Sequence, residues 1–323
     1  MHLAGTDRAS RPVGAWLWIM ALVFQAVLPA RSVRAESIDD AAAHLARTYV
    51  GLSLYGYDGD LSGLLMGDQR TLELIWLARR PIDLDAAGCL VLLDRRHDLV
   101  VPLAPPFQLR MHHAAEGAVT RQPLTLQLPR RVGNGSFDLA VRVVEKGLDP
   151  CAAETADQFW RTLRQIDLRP APFLSELPDE EVTEHFGGDW RRMHQGVSLG
   201  PAGTVEMPLP SPGSVTQLLV ISTLRFGRLL TQGTKIAEIT VRGVGGEVAT
   251  LGVKAGIDVS EGYSEQANYP PKHARSLVYQ VTPAGIPLFY CIKSLDLHGA
   301  VTSLTLTYTH DEGCWIVEDL LFK

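Results

Sequence analysis

Residues 236–253 read IAEITVRGVGGEVATLGV, and their pattern sets the fold class. Ala237, Ile239 and Val241 alternate with Glu238, Thr240 and Arg242, and after Gly243-Val244-Gly245-Gly246 a second strand-like run follows. A side-chain period of two is that of a half-buried strand, and a Gly-rich interval between two such runs predicts a hairpin. A phosphate-binding loop would need a Lys-Ser/Thr pair and a following helix, and neither is there.

Working outward, the same period recurs at 204–209, 215–224, 276–281, 287–297, 301–308 and 315–322, which with the hairpin makes about eight strands. That density predicts a jelly-roll sandwich over 195–323. Upstream, Leu72, Leu74 and Trp76 alternate, 89–93 is a compact apolar run and 99–103 follows a polar turn. Leu124, Leu126 and Leu128 lead through Gly133-Asn134-Gly135 to Phe137, Leu139, Val141 and Val143, which reads as another hairpin. The expected fold is mainly β: two antiparallel β-sandwich domains, at 70–168 and 195–323, the second jelly-roll-like, with short connecting helices. Residues 36–69 are expected to hold an N-terminal helix (37–50) and a loop. Ala156, Phe159, Trp160 and Leu163 predict a helix over 152–164, and the prolines and acids of 169–194 mark a linker.

The chain has 323 residues, 46% hydrophobic and 20% charged, with a net charge of -6. Disorder and a polytopic membrane protein are excluded on these grounds. Residues 1–35 read as a secretory signal peptide, with Arg8 and Arg11 before an apolar run at 13–30 and Val33 and Ala35 at the cleavage positions. An uncleaved anchor is the alternative. Removal of the segment leaves 26 basic and 35 acidic residues, a charge of -9. No Lys/Arg face is clustered, so nucleic acid is not an expected partner, and a membrane is reached only through the signal segment or a partner. Six of the 30 basic residues are Lys, a bias of GC-rich bacterial coding, so the expected location is periplasmic or secreted. Asn134-Gly135-Ser136 is a glycosylation sequon in form and is read as a turn. Cys89, Cys151, Cys291 and Cys314 allow three connectivities, of which Cys89–Cys151 with Cys291–Cys314 keeps each bridge inside one domain.

Few stretches carry chemistry. Gly196-Val197-Ser198-Leu199-Gly200 matches the G-x-S-x-G elbow but lacks the following helix, so the match is read as accidental. His185, Asp189 and His194, and the pair His112 and His113, lack a zincin spacing. Asp58, Asp60 and Ser62 resemble the first half of a calcium loop whose twelfth position is Gln69 instead of Glu, so a structural calcium is the one metal expectation and no other cofactor is implied. The 255–276 loop concentrates Asp258, Glu261, Tyr263, Tyr269, His273 and Arg275, the carboxylate, Arg and aromatic groups that a sugar surface needs. An internal Asp258–Arg275 pair pinning the loop is the competing reading.

The strand order, the 236–258 segment, Glu261 and KHARSLVYQV (272–281) resemble the galactose-binding-like (discoidin-type) jelly roll. A similar form occurs in extracytoplasmic β-sandwich regions of bacterial membrane glycosyltransferases. The resemblance covers about 195–323 and implies a glycan-binding or assembly module, with the Asp258–Arg275 loop as its ligand position. Membrane spans and a glycosyltransferase carboxylate motif are missing, so no catalysis is implied. The expectation is a non-catalytic exported cell-envelope protein whose partner is a glycan or an envelope protein. An accessory subunit of a membrane complex is the alternative, and a hydrolase using Asp258 and Glu261 comes last.

Overall fold

The computed structural model describes residues 51–152, 160–263, 271–274, 276–297 and 299–323, with backbone alone at 210–212. The helix expected at 37–50 and the signal segment lie outside the described residues.

The first domain begins earlier than the alternation predicts, with strand β1 (Leu52–Asp58) inside what was expected to be loop. It continues as β2 (Gln69–Ala78), β3 (Ile82–Asp94), β4 (Leu99–Pro102), β5 (Phe107–Ala114), β6 (Val119–Gln127), β7 (Gly135–Glu145) and β8 (Arg161–Leu168). One sheet has the order β1-β2-β6, and the other runs β4-β3-β7-β8 with β5 also on β3. Leu72, Leu74 and Trp76 of β2 meet Leu90, Leu92, Leu139 and Val141 of the facing sheet, the inward set that alternation requires.

Two expectations fail here. β6 pairs with β2 while β7 pairs with β3 and β8, so residues 128–134 cross between the two sheets and close no hairpin. The predicted helix at 152–164 is also replaced: Arg161–Leu168 is strand β8 on the edge of β7, and Ile166 and Leu168 turn inward at period two. A free edge of β7 offered backbone partners that outweighed the helical spacing of Trp160 and Leu163; residues 153–159 lie outside the described residues. Cys89 and Cys151 form the expected disulfide on the outer face of this sheet, beside Val91, Leu93 and Trp160.

The second domain contains β9 (Phe173–Leu174), α1 (Asp179–Phe186), β10 (Arg191–Arg192), β11 (Gln195–Leu199), β12 (Thr204–Ser214), β13 (Gln217–Arg225), β14 (Lys235–Gly243), β15 (Val248–Lys254), β16 (Val278–Val281), β17 (Pro287–Ser294), β18 (Ala300–Tyr308) and β19 (Cys314–Phe322). All eight strands expected after residue 200 are present, and 236–253 is the antiparallel β14–β15 hairpin. The large sheet has the order β16-β17-β13-β19-β11-β9 with β10 also on β19, and it faces a small sheet ordered β12-β18-β14-β15. Trp315, Phe289, Tyr308, Leu304, Leu306, Ile239 and Val241 fill the space between them.

Residues 169–194, expected as a linker, are instead packed onto this sheet. α1 carries three acids in its first turn, where they suit the positive end of the helix dipole, and buries Val182 against Leu219, Ile221, Leu288 and Leu321. The outer face of the large sheet is therefore covered at β13 and β19, which are buried on both faces.

The expected Cys291–Cys314 bridge is absent; both are buried free thiols. Cys291 lies opposite Val220 and Cys314 opposite Arg225, on strands flanking β13. Five residues of strand are about 16 Å, far beyond the reach of a disulfide. Each thiol is pushed up to about 12 by burial.

Candidate interdomain cleft

The 255–276 loop is sewn to its own domain. Asp258 accepts the Lys254 N–H at 2.8 Å and pairs with Lys293 Nζ at 2.6 Å. The partner of Asp258 is thus Lys293, and Arg275, like Tyr269, lies outside the described residues. Glu261 accepts the N–H groups of Gly227 (2.6 Å) and Tyr263 (3.0 Å), while its own N–H donates to His273 Nε2 at 3.1 Å. With Nε2 accepting, His273 carries its proton on Nδ1, 3.0 Å from the Leu230 carbonyl, as a buried neutral imidazole. Three members of the expected sugar surface are accordingly fold-holding groups. Asp258 and Glu261 also fail as an acid/base pair, because their oxygens are committed to backbone N–H groups and to Lys293.

Tyr263 has a different setting. It borders a cleft of about 450 Å³ whose other walls are the segment leading into α1 (Glu176), the first turn of α1 (Glu181) and the β16–β17 hairpin (Gln280), with Arg131 and Glu318 also lining it. The Arg225 guanidinium stacks 4.7 Å from the Tyr263 ring centroid, and burial pushes the phenol up to about 12, so its hydroxyl stays a donor at any ordinary pH.

Glu318 owes its position to a β-bulge. Along β19 the partners on β13 run from Ile221↔Asp319 directly to Ser222↔Val317, which leaves Glu318 unopposed. Val317 and Leu320 both enter the core, so Glu318 and Asp319 together occupy the outward side. Without the extra residue, alternation would drive one carboxylate into the apolar core. Each acid instead meets an arginine. Arg192 Nε donates to Asp319 at 2.8 Å, with both side chains buried. Arg131, from the crossover of the first domain, donates through Nε and Nη2 to the two oxygens of Glu318 at 2.7 and 2.9 Å, and through Nη2 to Glu176 at 3.2 Å. These bonds, chiefly to Glu318, hold Arg131 protonated more firmly than an ordinary guanidinium.

The sequence reading missed Arg131, Glu176, Gln280 and Glu318. Adjacent acids inside CWIVEDLLF (314–322) were the one available signal, because two charges in a buried strand require partners.

The crossover also sutures the two domains. Ser198 Oγ accepts the Gly133 N–H at 3.0 Å and lies 3.1 Å from Cys314 Sγ, buried on a strand, which removes it as an exposed nucleophile. Asn134 accepts from Gly200 (2.8 Å) and donates to the Pro201 carbonyl (3.0 Å), so the sequon asparagine is a joint. His97, bonded to Asp94 at 2.6 Å, stacks on Phe226 with ring centroids 4.2 Å apart.

The remaining candidates stay apart. His112 pairs with Asp83 at 2.8 Å on the surface, His185 sits edge-on to Tyr279 and Tyr290, and Asp189 meets Lys323. Asp60 accepts the Ser62 N–H at 2.8 Å in an Asx turn, and with Asp58 and Ser62 supplies two carboxylates and a hydroxyl, short of a calcium shell by themselves. Among the described residues no group of three or more His, Cys, Asp or Glu that could hold a metal ion is found.

No protein-family model matches the chain, and no curated protein matches its sequence. Solved structures similar to it include the exo-β-1,3-galactanase of Phanerochaete chrysosporium with galactose, at 9% identity and TM-score 0.22 over 85% of this chain and 70% of that one. Carbohydrate-binding modules of the β-sandwich superfamily follow at 10% identity and TM-score 0.22, over 84% of this chain and 99% of theirs. The N-terminal CBM22 tandem domain of Paenibacillus barcinonensis Xyn10C gives 9% identity and TM-score 0.20, over 84% and 93%. Scores this low carry no argument about function, and the β-sandwich architecture rests on the strand pairings themselves.

Proposed function

We propose that this protein is a non-catalytic glycan-binding or assembly module of the cell envelope, and that its ligand enters the cleft bordered by Tyr263. One observation supports the reading above the rest: a 450 Å³ recess combines an aromatic ring with the amide of Gln280 and the Arg131–Glu318–Glu176 cluster. Aromatic faces suit sugar C–H faces, and amide, carboxylate and guanidinium groups suit paired hydroxyls. Binding to an array of neutral and acidic envelope polysaccharides tests it. Tyr263→Ala and Gln280→Ala should each weaken binding about tenfold, roughly 1.4 kcal/mol, with unchanged thermal unfolding for Gln280→Ala. Wild-type protein that binds no polysaccharide on the array removes the glycan claim. Calcium at Asp58, Asp60 and Ser62 belongs to the same proposal and is checked by isothermal titration.

An accessory-subunit role is favoured by a separate feature. The edge strand β16 and its surroundings expose Leu277, Val278, Val281 and Ile292, an apolar edge suited to strand addition. Co-purification from solubilised membranes that is lost on Val281→Lys would support it.

A further inference from the structure

The two sides of Arg131 differ in charge. A second cleft of about 630 Å³, which shares Arg131 with the Tyr263 cleft, is walled by β4 (Leu99–Pro102), by residues 127–132 and by Arg225. Three arginines line it, Arg130, Arg131 and Arg225, and no acidic residue does.

The three arginines are held by different means. Arg225 is buried, and its Nη1 donates to the Arg131 carbonyl at 3.1 Å. Arg131 is tied on its far side to Glu318, which faces the other cleft. Arg130 is exposed and has no ion-pair partner among the described residues. Its stem lies along Gly67, where a Cβ would stand 3.2 Å from Arg130 Cγ and Nε, so that glycine makes room for it.

We infer that this second cleft binds the carboxylate of a uronic-acid saccharide. A planar fork of N–H donors matches a carboxylate in two-point geometry, and Arg130 is the guanidinium with donors to spare. The volume exceeds that of a single inorganic anion, and Leu99–Pro102 offers an apolar wall to a sugar ring. Opposite charge at the mouth also draws a polyanionic chain in, an attraction that added salt screens. The inference shares with the reading of the Tyr263 cleft only the saccharide class of ligand.

Calorimetric titration of the purified protein with an oligogalacturonate, its methyl ester and inorganic phosphate tests the assignment. The acid should bind at least tenfold tighter than the ester, weaken with added salt, and lose at least tenfold on Arg130→Glu with an unchanged melting temperature; Arg130→Gln should fall between. Equal binding of acid and ester, an Arg130→Glu protein of undiminished affinity, or phosphate binding as tight as the saccharide would each overturn it. Tyr263→Ala separates the two clefts: oligogalacturonate binding lost there but kept in Arg130→Glu places the ligand in the other cleft and sinks the inference. Neutral glycans that fail to bind leave it standing.

Discussion

Arg131 is the residue on which both clefts depend, because it closes one and lines the other while bridging two domains. Its side chain is 31% exposed and that of Glu318 only 7%, so removing the arginine strands a nearly buried carboxylate. Breaking a fully buried pair from one side costs about 3–5 kcal/mol, and partial exposure of Arg131 puts Arg131→Ala near the low end, about 3 kcal/mol. Urea denaturation checks the value. The Arg131→Met, Glu318→Gln double variant should recover much of it, and a single variant as stable as wild type would mean that water already satisfies Glu318. The same logic explains why Asp258, Glu261 and His273 misled as ligand groups. Carboxylates and an imidazole in a long loop are what a binding surface uses, and equally what a loop uses to satisfy its own N–H groups and carbonyls.

At the level of elements, the jelly-roll strands were readable whether one face was buried or both, and what the pattern did not place was the segment that covers the doubly buried ones. β14 and β18 alternate cleanly because one face of the small sheet is left open, whereas β13 and β19 run nearly unbroken in apolar residues under α1 and its flanking segment. Reading 169–194 as a linker hid that cover. The bulge at Glu318 follows from the same burial, since only an extra residue keeps Val317 and Leu320 inward with two acids between them. Strand partnership likewise decides the cysteines. Native protein should show no reaction of Cys291 or Cys314 with a thiol reagent at pH 8, because both are buried and become thiolate only near pH 12. Unfolding without reductant should release two thiols, and reduction four; four unreactive cysteines after unfolding would restore the second bridge.

The two sandwiches behave as one molecule because the 128–134 crossover is built into the second domain. Arg131, Gly133 and Asn134 all bond across the boundary, Arg96 donates to the Asp311 carbonyl at 2.8 Å, and His97 stacks on Phe226. Heat should therefore unfold the chain in a single calorimetric transition, and two separated transitions would show that the joint is weak. Reducing Cys89–Cys151, a bridge spanning 62 residues, should lower the midpoint, since the chain-entropy estimate for such a loop is about 4 kcal/mol. Local pattern sufficed for the β class, the eight strands of the jelly roll and the β14–β15 hairpin, because side-chain period and turn residues act over a few neighbours. Which sheet β6 and β7 joined, how residues 161–168 paired, and how Arg131 met Glu318 across 187 positions depended on contacts between distant segments. Backbone groups and buried charges take whichever partner the folded chain brings within reach, and no local spacing encodes that choice.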